Sequence, residues 1–132
     1  MVLVDANVLL DIFTADPVWL VWSRDALARV LLTRDTVINP IIYSEVSLAF
    51  LRPEELDTEL EALGIRKAPL PYASAFPAGQ AFLTYRRRGG KKTSPLPDFF
   101  IGAHAQVEDR HLLTRDAARY RTYFPKTKLI AP

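Results

Sequence analysis

The chain has 132 residues, 49% of them hydrophobic and 24% charged, which suits one domain over residues 1–132 with a core of its own. It has no cysteine, so disulfide frameworks and thiolate metal centres are excluded. No apolar run approaches the ~20 residues of a membrane span, so no membrane association and a cytoplasmic location are expected. The net charge of +2 hides an asymmetry. Residues 1–63 carry four basic and eleven acidic side chains, residues 64–132 thirteen basic and four acidic. The second half therefore predicts a surface attractive to a polyanion.

Met1 to Val4 reads as a buried strand ending at Asp5. Asp5 has two readings there: a cap for the next helix, or a carboxylate facing a ligand at the sheet's C-terminal edge. Asn7 to Phe13 reads as a short helix. Asp16 and Pro17 read as cap and first position of a second helix reaching about Leu32, with Trp19, Trp22, Leu27, Val30 and Leu31 on its apolar side. Asp11 lies beyond the strand end and Asp16 is accounted for as a cap, so neither is assigned chemistry.

Thr36 to Ile38 is the second strand, and Asn39 and Pro40 cap and open a helix from Ile41 to about Leu51. Glu45 falls among Ile41, Ile42, Leu48 and Ala49 on that helix's apolar stripe. A buried, unpaired carboxylate is costly, and a bound cation or basic partner would offset the cost. Pro53 opens a further helix whose Glu54, Glu55, Asp57, Glu59 and Glu61 read as a solvated face; Glu54 and Glu55 are the alternatives to Glu45, which the stripe favours. Gly64 closes this helix, and Ile65 to Ala68 reads as a short strand.

Tyr72 to Arg88 reads as a helix interrupted or begun late by Pro77. It runs into Arg86, Arg87, Arg88, Lys91 and Lys92 around Gly89 and Gly90, either a solvated helix end or a loop that contacts phosphates. Ser94 to Pro97 forms an extended approach to Asp98, read as the N-cap of a helix reaching Val107. His104 and His111 read as structural or exposed, since neither has a second histidine at ligand spacing. His111 to Thr114 is a strand, Arg115 and Asp116 begin another helix, and Thr127 to Ile130 is a last strand. Such alternation predicts an α/β fold on a central parallel sheet of four to five short strands.

Asp5, Asp98 and Asp116 each stand at a junction leading into a helix, and Glu45 is one turn inside one. In a parallel sheet these junctions share the C-terminal edge, so the four acids can converge. Clustered carboxylates raise one another's pKa or require a cation, and an all-oxygen set favours Mg²⁺ or Mn²⁺. That chemistry suits metal-assisted phosphodiester hydrolysis.

The segments Val4-Asp5-Ala6-Asn7-Val8-Leu9-Leu10, Glu45, Pro97-Asp98-Phe99-Phe100-Ile101-Gly102-Ala103-His104-Ala105 and Leu113-Thr114-Arg115-Asp116 resemble, in order and spacing, the motifs of PIN-domain ribonucleases. The likeness is strongest to the VapC toxins of toxin–antitoxin modules. It implies a three-layer α/β/α fold, Mg²⁺- or Mn²⁺-dependent endoribonuclease activity, homodimerisation and inhibition by a cognate antitoxin. It also implies catalytic roles for Asp5, Glu45, Asp98 and Asp116, metal ligation by Asp5, Asp98 and Asp116, and supporting positions for Asn7 and Thr114. Arg86, Arg87, Arg88, Lys91 and Lys92 are the candidates for RNA contact. The competing readings are a structure-specific DNA nuclease, a phosphate-accepting α/β module and an RNA-binding domain without chemistry.

Overall fold

The computed structural model describes residues 1–93 and 96–132. Five short strands form one sheet, and every pairing in it is parallel: β1 (Val2–Val4), β2 (Thr36–Ile38), β3 (Arg66–Lys67), β4 (His111–Leu113) and β5 (Lys128–Ile130). Their spatial order is β3-β2-β1-β4-β5. Val2 aligns with Thr36 on one side and His111 on the other, and Val4 aligns with Leu113. The chain moves outward from β1 to β3 and then returns to the far side of β1 for β4. The topological switch point therefore lies between β1 and β4, the place where open α/β sheets bind ligands.

Val2, Leu3 and Val4 are completely buried, as a central strand covered on both faces requires. Helices flank the sheet in a three-layer α/β/α arrangement: α1 (Ala6–Phe13), α2 (Leu20–Thr33), α3 (Pro40–Val46), α4 (Pro53–Leu63), α5 (Ala75–Arg87), α6 (Pro97–Val107) and α7 (Ala118–Tyr123). Gly64 ends α4 with a φ of 77°, a conformation that favours glycine. At Gly102 in α6, an added Cβ would overlap the Phe124 ring, so the absent side chain sets how closely α6 meets the segment after α7.

Several boundaries differ from the sequence expectations, each for a local reason. The α2 helix starts at Leu20, three positions after Pro17, because Asp16 Oδ1 accepts from the backbone N–H groups of Val18 and Trp19 and holds a turn first. The α3 helix stops at Val46 and tightens into a 3₁₀ turn over Ser47–Ala49. Pro77 lies in the first turn of α5, after a 3₁₀ turn at Tyr72–Ser74. Asp98 is not the N-cap of α6: Leu96 holds that place and Pro97 the first helical position, putting Asp98 one residue inside. The α7 helix begins at Ala118 and not at Arg115, since the backbone after β4 is bound to Asn7 and Thr114. The extended approach to Asp98 falls partly on Ser94 and Pro95, which lie outside the described residues.

Candidate active site

Asp5 follows β1 directly and is 4% exposed. Its Oδ1 accepts from the Ala6 N–H at 2.8 Å, so the expected helix cap is present and uses one oxygen. The other oxygen, Oδ2, accepts from Thr114 Oγ1 at 2.9 Å, the Tyr120 hydroxyl at 2.9 Å and Asn7 Nδ2 at 3.3 Å. Burial, followed by the nearby Asp98, pushes the Asp5 carboxyl up to about 6 against these donors.

Thr114 follows β4 and completes the other side of the switch point. Its hydroxyl accepts from the Asp116 N–H and from Asn7 Nδ2, both at 3.1 Å, while Asn7 Oδ1 accepts from the Arg115 N–H at 3.2 Å. Asn7 and Thr114 thus tie the ends of β1 and β4 together beside Asp5.

Glu45 reaches the same region from α3. Every influence on it raises its pKa: burial first, then Asp5, then Asp98, to about 7. Asp98 arrives from the first turn of α6 and is raised by burial and by Asp116, while Arg119 and Tyr120 oppose the rise. Arg119 Nη1 lies 3.5 Å from Asp98 Oδ2, and the Tyr120 hydroxyl lies 3.4 Å from Asp98 Oδ1. Tyr120 is 1% exposed; burial, then Asp5 and Asp98, drive its own pKa well above the usual value. It stands between the two aspartates as a neutral donor.

Asp5, Glu45 and Asp98 therefore come together. Asp116 is exposed and lines, with Asp98, a cavity of about 390 Å³ that Tyr85, Arg119 and Tyr123 also line. Glu54 and Glu55 lie on exposed positions at the start of α4. Among the described residues, no three Asp, Glu, His or Cys side chains are placed closely enough to share one ion as they stand. The donor set still fits a hydrated hard cation. Mg²⁺ commonly takes one or two carboxylates and keeps its waters, and carboxylates raised by mutual repulsion gain from a cation. Asp98 belongs to both groupings, with Asp5 through Tyr120 and with Asp116 through the cavity.

The basic segment ends α5 and folds back over Tyr85. Gly89 turns it with a φ of 88°, Arg86 Nη1 donates to the Lys92 carbonyl at 2.7 Å, and the Gly90 N–H donates to the Tyr85 carbonyl at 3.0 Å. Arg86, Arg87, Arg88, Lys91 and Lys92 are all exposed. Tyr85, over which this segment folds, also lines the Asp98 cavity, whose wall includes none of the five.

Three features escaped sequence reasoning. Tyr120 and Arg119 lie four and three residues after Asp116, and only that spacing on a short helix pointed to them. Asp11 is buried in a network, accepting from Arg115 Nε at 2.8 Å and Ser23 Oγ at 2.7 Å, with the Arg115 guanidinium 5.4 Å from the Trp19 ring centre. His104, by contrast, has the structural place expected. Asn39 Oδ1 caps Ile42, so its amide nitrogen donates to His104 Nδ1 at 3.0 Å, and Nε2–H donates to Glu108 at 2.8 Å. Burial holds this imidazole below its ordinary pKa.

A model of the PIN domain matches residues 2–125. The chain belongs to the PIN-domain family. No curated relative matches its sequence. Among solved structures, this PIN domain resembles a chain of VapBC2 from Rickettsia felis bound to a promoter DNA fragment, with a TM-score of 0.74 at 15% identity, covering 100% of this chain and 99% of the other. It also resembles a chain of FitAcB from Neisseria gonorrhoeae (TM-score 0.63, 23% identity, 98% and 96% covered) and of a toxin–antitoxin complex from Klebsiella pneumoniae (TM-score 0.66, 21% identity, 98% and 96% covered). At these identities the likeness establishes the fold. No helix among the described residues is long and apolar enough to cross a membrane.

Proposed function

We propose that this PIN domain, as one unit over residues 1–132, is a divalent-metal-dependent endoribonuclease and the toxin of a toxin–antitoxin pair. The observation that carries the reading is the meeting of Asp5, Glu45 and Asp98 at the switch point, each raised by burial and placed near like charge. A purely structural cluster gains nothing from such repulsion, whereas a cation-binding site does. The likeness to the Klebsiella pneumoniae toxin–antitoxin complex and to VapBC2, together with the basic second half of the chain, supports the biological part.

Asp5 and Asp98 would hold Mg²⁺ or Mn²⁺, with Asp116 reaching it from the cavity rim. An ion held there would supply an acidified water and positive charge opposite the scissile phosphate. Glu45, brought beside Asp5 and Asp98 by α3, is the carboxylate placed to take a proton from a water at the site. Thr114 and Asn7 hold the Asp5 carboxylate in one orientation, and Tyr120 keeps Asp5 and Asp98 from drifting apart. A second copy of the chain and an antitoxin complete the proposed assembly. The antitoxin would block the acids most directly with a basic side chain.

The test is RNA cleavage by the purified protein and by Asp98→Ala, with and without Mg²⁺. Cleavage by the wild type alone, and only with the ion, is expected. Equal cleavage by the variant, or cleavage that persists in EDTA, would sink the reading.

A further inference from the structure

The helices that bring Glu45 and Asp98 together are joined again in the interior. Asn39, at the head of α3, and His104, within α6, are both buried, and the Asn39 amide nitrogen lies 3.0 Å from His104 Nδ1. Asn39 stands six residues before Glu45, and His104 six residues after Asp98. On a helix that spacing is about 9 Å. At the acids, like charges push α3 and α6 apart. The buried hydrogen bond ties them.

Both ends of this link are fixed. Asn39 Oδ1 accepts from the Ile42 N–H at 2.9 Å, and the Asn39 carbonyl accepts from the Tyr43 N–H at 2.9 Å, so one residue holds the first turn of a helix only seven residues long. A helix that short has little stability of its own, so the place of Glu45 follows from where Asn39 is held. On the other side, Ile101, Ala103 and Ala105 are completely buried and Gly102 faces the Phe124 ring, so α6 carries Asp98 and His104 as one packed body.

The imidazole is fixed as well. With its side-chain oxygen occupied by Ile42, Asn39 offers His104 only an N–H, which makes Nδ1 the acceptor and leaves the proton on Nε2. Nε2–H donates to Glu108 Oε1 at 2.8 Å, and the same oxygen accepts from Arg110 Nε at 2.6 Å. Burial keeps the ring neutral, and Arg110 acts in the same direction against the pull of Glu108. Filling the space between two helices needs no such pair of bonds. Setting their relative position does.

We propose that His104 is a positioning residue for catalysis, its neutral Nδ1 holding Asn39 and, through Asn39, the place of Glu45 relative to Asp98. The proposal rests on the nuclease reading and adds to it a residue that touches neither metal nor substrate. A displacement of about 1 Å at a reacting group can cost on the order of 100-fold in rate. A loosened α3 therefore lowers turnover and leaves Asp5 and Asp98 in place.

The experiment separates the two ring nitrogens. Asn in place of His puts an acceptor near the Nδ1 position and Gln puts a donor near that of Nε2, so His104→Asn keeps the bond to Asn39 and His104→Gln keeps the one to Glu108. Cleavage of an oligoribonucleotide with Mn²⁺ is measured for wild type and both variants, well below the melting temperature of each. His104→Gln should lower kcat about 10- to 100-fold, with KM and the Mn²⁺ affinity read from melting shifts within about twofold of wild type, and His104→Asn should recover most of the loss. Asn39→Ser, which keeps a capping oxygen too short to reach the ring, should reproduce the loss from the other side and stands in if the His104 variants do not fold. The link is also read without cleavage: nitrogen NMR of the wild type at neutral pH should show His104 with a bare Nδ1 and a protonated Nε2. A residue that only fills the core would lower melting temperatures without dividing kcat from KM or one variant from the other. If the wild type cuts RNA while the two His104 variants turn over alike, or Asn39→Ser keeps the wild-type kcat, or Nδ1 carries the proton, the positioning proposal fails and the nuclease reading stands. If the wild type cuts no RNA with Mn²⁺, the nuclease reading fails and takes the positioning role with it.

Discussion

The Tyr120 hydroxyl donates to Asp5 Oδ2 at 2.9 Å from a side chain that is 1% exposed, making an uncharged phenol the partner of a buried acid. A cation in that place would neutralise Asp5 and compete with a metal ion. A phenol holds the carboxylate and leaves its charge available.

Tyr120→Phe removes this donor and little volume. At pH 8, where Asp5 is ionised, the change should destabilise the metal-free protein by about 1–3 kcal/mol. At pH 5 the loss should shrink, because a protonated Asp5 needs the donor less. Thermal melts of both proteins at the two pH values check this. An equal loss at both would mean that Tyr120 acts only through packing.

The metal-free protein should lose stability as pH rises, the reverse of the usual carboxylate case. Asp5 is raised from 3.8 to about 6 and Glu45 from 4.5 to about 7. Each therefore favours the fold fully below its ordinary value, and that contribution disappears as pH climbs through the raised one. A melting temperature that falls from about pH 4 to about pH 7 is expected from these two groups, the window between their ordinary and raised values. Glu45→Gln should flatten the fall and leave a variant more stable than wild type at pH 8. A variant less stable than wild type at pH 8 would contradict the like-charge account.

Mn²⁺ should raise the melting temperature most where the acids are ionised. The shift is expected to be large at pH 8 and to fade as pH falls through about 7 and then 6, as Glu45 and Asp5 take up protons. Asp98→Asn should abolish most of it. Differential scanning fluorimetry across a Mn²⁺ series reads both effects, and a pH-independent shift would place the ion elsewhere.

Asp11→Ala should be among the more destabilising single changes, costing about 3 kcal/mol, because it strands Arg115 and leaves Ser23 without its acceptor. Asp11→Asn should cost less. Urea denaturation separates the two, and equal stability of all three proteins would show the network to be idle.

The strands and the acids were legible because each has a local signature. A β-branched run ending in Asp marks the tip of β1, and Asn39-Pro40 marks the start of α3. Glu45 was legible as a charge beside Ile41 and Ile42, although Leu48 and Ala49, expected on the same stripe, lie exposed on the 3₁₀ turn after α3. Tyr120 was not, since a tyrosine on a helix that also buries Phe124 nearby looks like ordinary core, and only the fold brings its hydroxyl to residue 5. Asp11 was passed over for the opposite reason: its partner lies beyond any helical spacing. The start of α7 was misjudged because Arg115 is held by Asn7, a constraint that propensity cannot register.

The sheet order has a consequence for how the protein is made. Asp5 is made well before its hydroxyl donors, Thr114 and Tyr120, which follow 109 and 115 positions later. The central strand β1 likewise waits for β4 before both its edges are paired. A nascent chain therefore carries the acids without the frame that orients them. The proposed site is framed only once Thr114 and Tyr120 have both been made, so it cannot form on a chain that stops short of them.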